Sequence, residues 1–182
     1  MKVLVFVNSL TLSRVLLSIM FYLTTVFYPK WIVNQILLFA VIFLTDFFDG
    51  KLARQYKVET KAGAVFDVVA DVFFVIISFT ALIRNNFLPF WILPVAILKF
   101  AEFWITSLIT VKTQREFKRV FVFDKLGKAA ALLLYSLSIV SVLAFVIFPK
   151  PTAISLIIVY CTLVTLMSVI SSAHRISSCI GQ

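Results

Sequence analysis

The sequence predicts an all-α integral membrane protein with six transmembrane helices. Of its 182 residues, 62% are hydrophobic and 20 are phenylalanine, whereas soluble domains are roughly 45–50% apolar. A soluble core of this length could not bury so much apolar surface, so lipid must cover it. The chain has room for about six spans of ~20 residues and for little else. We therefore expect one membrane domain over residues 1–182.

Apolar runs separated by charged residues or proline predict the six helices. Their approximate bounds are 10–28, 32–50, 63–83, 88–111, 127–148 and 152–172. A weak pattern over residues 1–9 predicts a short interfacial helix before the first span. The two cysteines, Cys161 and Cys179, show neither metal-ligand nor disulfide spacing. The first residues also lack the pattern of a secretory signal peptide.

Basic residues are distributed unevenly between the connectors on the two predicted sides of the membrane. The formal net charge is +9, which in a membrane protein indicates cytoplasmic loops and anionic lipid rather than nucleic acid. Thirteen basic residues fall on the side of the two termini, three fall on the other side, and Lys99 lies inside a span. The positive-inside rule therefore places both termini in the cytoplasm.

Four aspartates stand on two predicted spans that are otherwise apolar. Asp46 and Asp49 are three residues apart near the end of the second span, so they share a helix face. Asp67 and Asp71 follow Gly63 at intervals of four residues and form a stripe on the third span. Because a short connector makes these two helices neighbours, we expect their carboxylates to face each other.

Four carboxylates in a medium of low dielectric constant need a counter-charge. Two divalent cations would balance them, and oxygen ligands favour Mg²⁺, Mn²⁺ or Ca²⁺ over zinc. Paired metals suit the displacement of a phosphoryl group. Small residues such as Gly50 and Ala53 leave room for a phosphate-bearing ligand, and Arg54 could grip its phosphate. Any single aspartate could equally be a proton relay or a helix-packing group, so the combination carries this interpretation.

Residues 49–71 match the pattern D-G-x2-A-R-x8-G-x3-D-x3-D, and a further acid stands three residues earlier. This pattern resembles the signature of the CDP-alcohol phosphatidyltransferase family, and the length and six-helix layout agree over essentially the whole chain. The resemblance implies a site for two divalent cations, Mg²⁺ or Mn²⁺. Its implied ligands are Asp46, Asp49, Asp67 and Asp71. It also implies that Asp71 is the general base.

The resemblance further implies a site for the nucleotide and lipid of the donor. Its positions in the main pattern are Gly50, Ala53, Arg54, Thr60 and Gly63. Thr60 stands where the family often has a hydroxyl near the donor's phosphates. Residues 8–14 resemble an N-terminal Pro-Asn-x-x-Thr-x-x-Arg element that helps to bind the donor, with Val7 in place of the proline. Asn8 and Thr11 are therefore further donor-site candidates.

The implied reaction transfers a phosphatidyl group in phospholipid biosynthesis. An acceptor hydroxyl, deprotonated by Asp71, attacks the phosphorus of CDP-diacylglycerol, and CMP leaves. The resemblance also implies a homodimer in the cell membrane, surrounded by membrane lipids, with the active site facing the cytoplasm.

The acceptor alcohol is less well defined than the reaction. Among small six-helix members, phosphatidylglycerolphosphate synthases are the nearest comparison, so glycerol 3-phosphate is our first expectation. Inositol, inositol phosphate and serine are the alternatives. These synthases carry an Arg-Glu pair in the fourth span, but this chain reads Ala101–Glu102. Lys112 and Lys128 are the acceptor-site candidates, while Lys99 either replaces a missing positive charge or pairs with Glu102.

A proton- or metal-coupled transporter is the alternative from another functional class, because the same aspartates could carry protons or cations. Six spans are few for a transporter, and the sequence shows no inverted pair of helices broken by glycine or proline. An inactive protein of the same fold is a third possibility, but the complete set of acids argues against it.

Overall fold

Six α-helices follow one another along the chain. The computed structural model describes residues 2–56, 60–113 and 125–180. Its helices are α1 Lys2–Phe27, α2 Ile32–Gln55, α3 Lys61–Arg84, α4 Ile92–Thr113, α5 Lys125–Ile147 and α6 Lys150–Ile180. Each contains a segment of 19 to 28 residues that is long and apolar enough to cross a membrane. The prediction of an all-α protein with six candidate spans is confirmed.

Two helices, α1 and α6, extend furthest beyond the bounds that the sequence pattern predicts, and α2 also continues past residue 50 to Gln55. The first helix begins at Lys2 and continues without a break into the first span, so a separate interfacial helix over residues 1–9 is wrong. The last helix continues past the predicted end at residue 172 to Ile180. Both extensions lack glycine and proline, so nothing in their backbone chemistry stops the helix where the apolar run ends.

The chain divides into two helical units, Met1–Phe87 and Leu88–Gln182. In the first unit, α1 packs against both α2 and α3. Three buried rings, Phe21, Phe39 and Phe74, contribute one side chain from each helix. The Phe74 centroid lies 5.9 Å from that of Phe21 and 5.8 Å from that of Phe39. We call these rings the aromatic cluster; such pairs add ~0.5–1.5 kcal/mol to the burial of apolar surface.

The C-terminal end of α3 is hydrogen-bonded to the C-terminal end of α1. Asn86 adopts a left-handed conformation with φ 59°, and the N–H of Phe87 donates to the carbonyl of Leu82 over 2.8 Å, as in a Schellman motif. The side-chain amide of Asn85 donates to the backbone carbonyl of Thr25 over 2.7 Å. These contacts set the position of α3 along α1, and therefore the level at which their polar side chains meet.

In the second unit, α6 packs against both α4 and α5. Lys99 and Glu102 form an ion pair of 2.8 Å on α4, and both side chains are largely buried. The same ammonium group donates to the hydroxyls of Ser171 (3.0 Å) and Ser172 (3.1 Å) on α6. Of the two expectations for Lys99, the ion pair with Glu102 is confirmed.

Arg175 on α6 joins this network from the other helix. Its guanidinium donates to the hydroxyls of Thr106 (2.6 Å) and Ser107 (2.7 Å) on α4. It lies 3.8 Å from the Glu102 carboxylate and 4.7 Å from the centre of the Phe103 ring. Two buried cations therefore share one carboxylate, and we call this network the α4–α6 polar cluster.

Replacing Glu102 with glutamine should lower the free energy of unfolding by roughly 3–5 kcal/mol, because two buried cations lose the carboxylate that they share. Denaturant unfolding of the purified protein in detergent measures this change. Thr162→Ala is the matched control on α6, since that exposed hydroxyl bonds to the carbonyl of Ile158 in its own helix. A Glu102→Gln variant as stable as this control would contradict an energetic role for the cluster.

Candidate active site

The four aspartates converge on one buried side chain, that of Arg14 in α1. Its Nη2 atom lies 2.8 Å from Asp46, 2.5 Å from Asp49 and 3.2 Å from Asp67, and its Nη1 atom lies 2.7 Å from Asp71. Two of these acids belong to α2 and two to α3. We call the four acids the carboxylate cluster. A single guanidinium thus connects the three helices of the first unit.

The spacing of the acids explains why both pairs reach the same point. Residues three or four apart lie on one helix face, so each of α2 and α3 directs its two acids to one side. Because α1 packs against both helices, a residue of α1 can meet all four acids. The sequence predicted that the carboxylates face each other, and the structure brings them together.

The cluster has a buried part and an accessible part. The side chains of Asp46, Asp67 and Asp71 are 34%, 38% and 33% exposed, whereas that of Asp49 is 1% exposed. The Oδ1 atom of Asp49 is buried, and it has no hydrogen-bond partner among the described residues. A ligand can therefore approach three of the acids, and a buried acceptor remains available behind them.

Three of these acids fit a divalent cation. Asp46, Asp49 and Asp67 each offer a carboxylate oxygen, and the three oxygens all lie within 4.8 Å of one another. An all-oxygen donor set suits hard cations such as Mg²⁺ or Mn²⁺. The unpartnered Oδ1 atom of Asp49 agrees with this use, because a buried acceptor usually has a partner.

The structure describes the side chains of some donor-site candidates but not of others. The Thr11 hydroxyl lies 3.5 Å from Oδ2 of Asp49, at the outer limit for a hydrogen bond, so this residue belongs to the site region. Gly50 follows Asp49 on α2 and is half-buried. Four predicted site residues have side chains outside the described part of the structure: Asn8, Ala53, Arg54 and Lys112.

Thr60 and Gly63 have a structural role at the start of α3. The N–H of Gly63 donates to the Thr60 hydroxyl over 3.0 Å, so Thr60 is the N-cap of the helix. A Cβ atom on Gly63 would lie 3.0 Å from this hydroxyl, so the Thr60 side chain would have to shift by a few tenths of an ångström. Their predicted contact with the donor stays a prediction beside this observed role.

Lys128, the remaining acceptor-site candidate, lies in the first turn of α5 in the second unit. Its side chain is exposed, while the preceding Gly127 is buried. Its contact with an acceptor stays a prediction.

The central position of Arg14 is not predicted by the sequence pattern. The residue ends the N-terminal element and is one of the basic residues on the side of the two termini. The side chain is in fact 0% exposed and paired with all four acids. One signal was present: an arginine within an apolar span needs a partner, and the aspartates were candidates for that partner.

Residues 4–176 match the sequence model of the CDP-alcohol phosphatidyltransferase family. The match covers almost the entire chain. The protein belongs to this family. The matched range of this phosphatidyltransferase family includes Arg14 and all four acids of the carboxylate cluster.

Curated relatives include three bacterial proteins named CDP-diacylglycerol–glycerol-3-phosphate 3-phosphatidyltransferase. The protein from Cereibacter sphaeroides is 40% identical over 72 residues, which are 39% of this chain and 33% of the relative. The protein from Sodalis glossinidius is 38% identical over 102 residues, and that from Escherichia coli K12 is 36% identical over 104 residues. Each of these two matches covers 54% of this chain and 55% of the relative. The chain thus spans from a third to about half of the length of these relatives.

Thr60→Ala should lower the free energy of unfolding by ~0.5–2 kcal/mol, because the first turn of α3 loses its capping acceptor. Thr60→Ser keeps the hydroxyl and should retain most of the stability. Denaturant unfolding of both variants in detergent makes the comparison. Equal stability of the alanine variant and the unchanged protein would show that the cap contributes nothing.

Proposed function

We propose that this protein transfers a phosphatidyl group from CDP-diacylglycerol to a small alcohol and releases CMP, as a step in phospholipid biosynthesis. The observation that carries this proposal is the convergence of the four pattern aspartates around Arg14. Glycerol 3-phosphate is the proposed acceptor, because the curated relatives are named for it. Inositol, inositol phosphate and serine are the alternatives within the same reaction class.

The proposed cofactors are two divalent cations, Mg²⁺ or Mn²⁺, held by the carboxylate cluster. When bound, they would stabilise negative charge on the reacting phosphate and on the leaving CMP. Asp46, Asp49 and Asp67 supply the oxygens that lie within 4.8 Å of one another, and Asp71 completes the set. Asp49 is buried, while the other three acids are about a third exposed.

Asp71 is the proposed general base. Its carboxylate takes the proton of the acceptor hydroxyl while the hydroxyl oxygen forms a bond to the phosphorus of the diacylglycerol phosphate. The bond from this phosphorus to the oxygen of CMP breaks, and CMP leaves with the electron pair. Arg14 Nη1 donates to Oδ1 of Asp71 over 2.7 Å, which orients the carboxylate. The side chain is 33% exposed, so an acceptor can reach it.

The donor and the acceptor are proposed to use different sets of residues. The donor set comprises Asn8, Thr11, Gly50, Ala53, Arg54, Thr60 and Gly63. Arg54 would hold a phosphate through its planar guanidinium, and the glycines would admit the nucleotide close to the backbone. Lys112 and Lys128 are the proposed acceptor residues, since ammonium groups attract an anionic alcohol such as glycerol 3-phosphate.

The six spans are proposed to place the protein in the cell membrane as a multi-pass protein, with both termini and the active site on the cytoplasmic side. The uneven distribution of basic residues supports this orientation. A lipid donor and a water-soluble acceptor must meet at the membrane surface, where three acids of the cluster could be reached. A single functional domain over residues 1–182 and a homodimer complete the proposal.

The purified protein should release CMP from CDP-diacylglycerol when Mg²⁺ or Mn²⁺ and glycerol 3-phosphate are present. Stripping divalent cations with EDTA should abolish the release, and returning either cation should restore it, because the carboxylates need divalent counter-charge. Chromatography of CMP and of the lipid product measures both. Full turnover in excess EDTA would contradict metal dependence, and no CMP release with any acceptor would contradict the proposed reaction.

Asp71→Asn should keep the fold and most donor binding but reduce kcat by ~10²–10⁴-fold, since asparagine cannot accept the proton. Asp49→Asn should act mainly through metal affinity, so excess metal should restore part of its activity. Measuring kcat and KM of both variants across a titration with Mg²⁺ separates the two roles. Recovery of near-normal kcat by Asp71→Asn at high metal concentration would make Asp71 a ligand only.

A further inference from the structure

The three carboxylates best placed for a divalent cation already share a cation that belongs to the protein. Asp46, Asp49 and Asp67 offer the oxygens that lie within 4.8 Å of one another. The same three residues lie 2.8, 2.5 and 3.2 Å from the Nη2 atom of Arg14. This nitrogen and a divalent cation would therefore bind the same side chains.

The Nη2 group alone cannot donate to all three of these acids. An Nη group carries two hydrogens, yet three carboxylates lie within 3.2 Å of Nη2. Its hydrogen bonds go to Asp49 and Asp67, so Asp46 gains mainly charge attraction from this nitrogen. Nη2 alone therefore does not donate to all three carboxylates.

The formal charge shows the same imbalance. Four carboxylates against one guanidinium leave a net charge of −3 when all are ionised. A buried charge needs compensation, and Arg14 is fully buried beside the nearly buried Asp49. Among the described residues, the guanidinium thus holds the acids together and balances one of their four charges.

Two buried polar atoms at the centre of the cluster have no hydrogen-bond partner among the described residues. They are Nε of Arg14 and Oδ1 of Asp49. An ion pair built only for stability would satisfy both, because a buried unpaired polar atom costs free energy. Their positions indicate an arrangement that can change when the carboxylates take another partner.

We propose that Arg14 is a resident counter-ion that competes with divalent cations for Asp46, Asp49 and Asp67. The inference rests on the proposed metal-dependent function. Without divalent cations, the guanidinium keeps the like-charged acids together. When cations bind, Nη2 gives up its contacts with these three acids. Nη1 keeps its contact with Asp71, so the buried guanidinium retains one carboxylate at all times.

Arginine suits this role better than lysine. Its two terminal nitrogens bind different acids, Nη1 binding Asp71 and Nη2 binding the other three. An ammonium group is a single point charge without such a fork. Arg14→Lys should therefore hold fewer acids and compete less with a divalent cation, while keeping the charge that the fold needs.

The test measures Mn²⁺ binding and stability without CDP-diacylglycerol or acceptor. Free Mn²⁺ is counted by electron paramagnetic resonance for the unchanged protein, Arg14→Gln and Arg14→Lys in lipid nanodiscs. Thermal unfolding is recorded for each in EDTA and in Mn²⁺. Lys30→Gln is the matched control, because it removes the same charge from an exposed side chain that follows the C-terminal end of α1.

Arg14→Gln should bind Mn²⁺ at least about tenfold more tightly, because a positive charge about 3 Å from the ligands is removed. Its Tm in EDTA should fall by several degrees, and its rise on adding Mn²⁺ should exceed that of the unchanged protein. Arg14→Lys should bind Mn²⁺ with an affinity between the two. Lys30→Gln should leave both the Mn²⁺ affinity and the Mn²⁺-induced rise in Tm unchanged.

Unchanged or weaker Mn²⁺ binding by Arg14→Gln would overturn the proposal, since it would make Arg14 a structural or donor-binding residue. If this variant does not fold, Arg14→Lys decides the question by the same criterion: tighter binding supports competition, and unchanged or weaker binding overturns it. Absence of Mn²⁺ binding by the unchanged protein would instead overturn the proposed metal site, and the inference with it.

Discussion

One ion-pair network, a guanidinium surrounded by four carboxylates, connects the helices of the first unit. Arg14 of α1 pairs with all four acids, of which α2 and α3 each contribute two. Because these groups share one network, their contributions to stability are not additive. The helix packing of the first unit and the geometry of its candidate site therefore depend on the same contacts. A substitution that alters the packing also alters the site.

The two units have opposite ratios of acidic to basic side chains in their buried networks. In the first, four acids surround one cation, and three acids remain about a third exposed. In the α4–α6 polar cluster, two cations share Glu102, and serine and threonine hydroxyls bind the remaining donors. The second network is closed and largely satisfied, as a structural ion pair should be. In the first network, the described residues pair four acids with one cation, and three of these acids stay partly exposed.

The sequence predicted the number of helices and the meeting of the acids, because apolar runs and residue spacing report both directly. It did not predict that Arg14 and Arg175 lie buried between helices. A basic residue near the end of a span satisfies the positive-inside rule whether it points to lipid head groups or into the bundle. The direction depends on how each helix is rotated about its axis. Helices with apolar residues on nearly every face carry little information about that rotation.

The aromatic cluster has a consequence for where water can enter the first unit. Phe21 and Phe39 each stand seven residues, about two turns, along the helix from Arg14 and Asp46, whereas Phe74 follows Asp71 after three residues, about one turn. Phenyl rings offer no strong hydrogen-bond donor or acceptor, so water finds no partners where these buried rings meet. The carboxylate cluster therefore adjoins an apolar layer on the side of the rings.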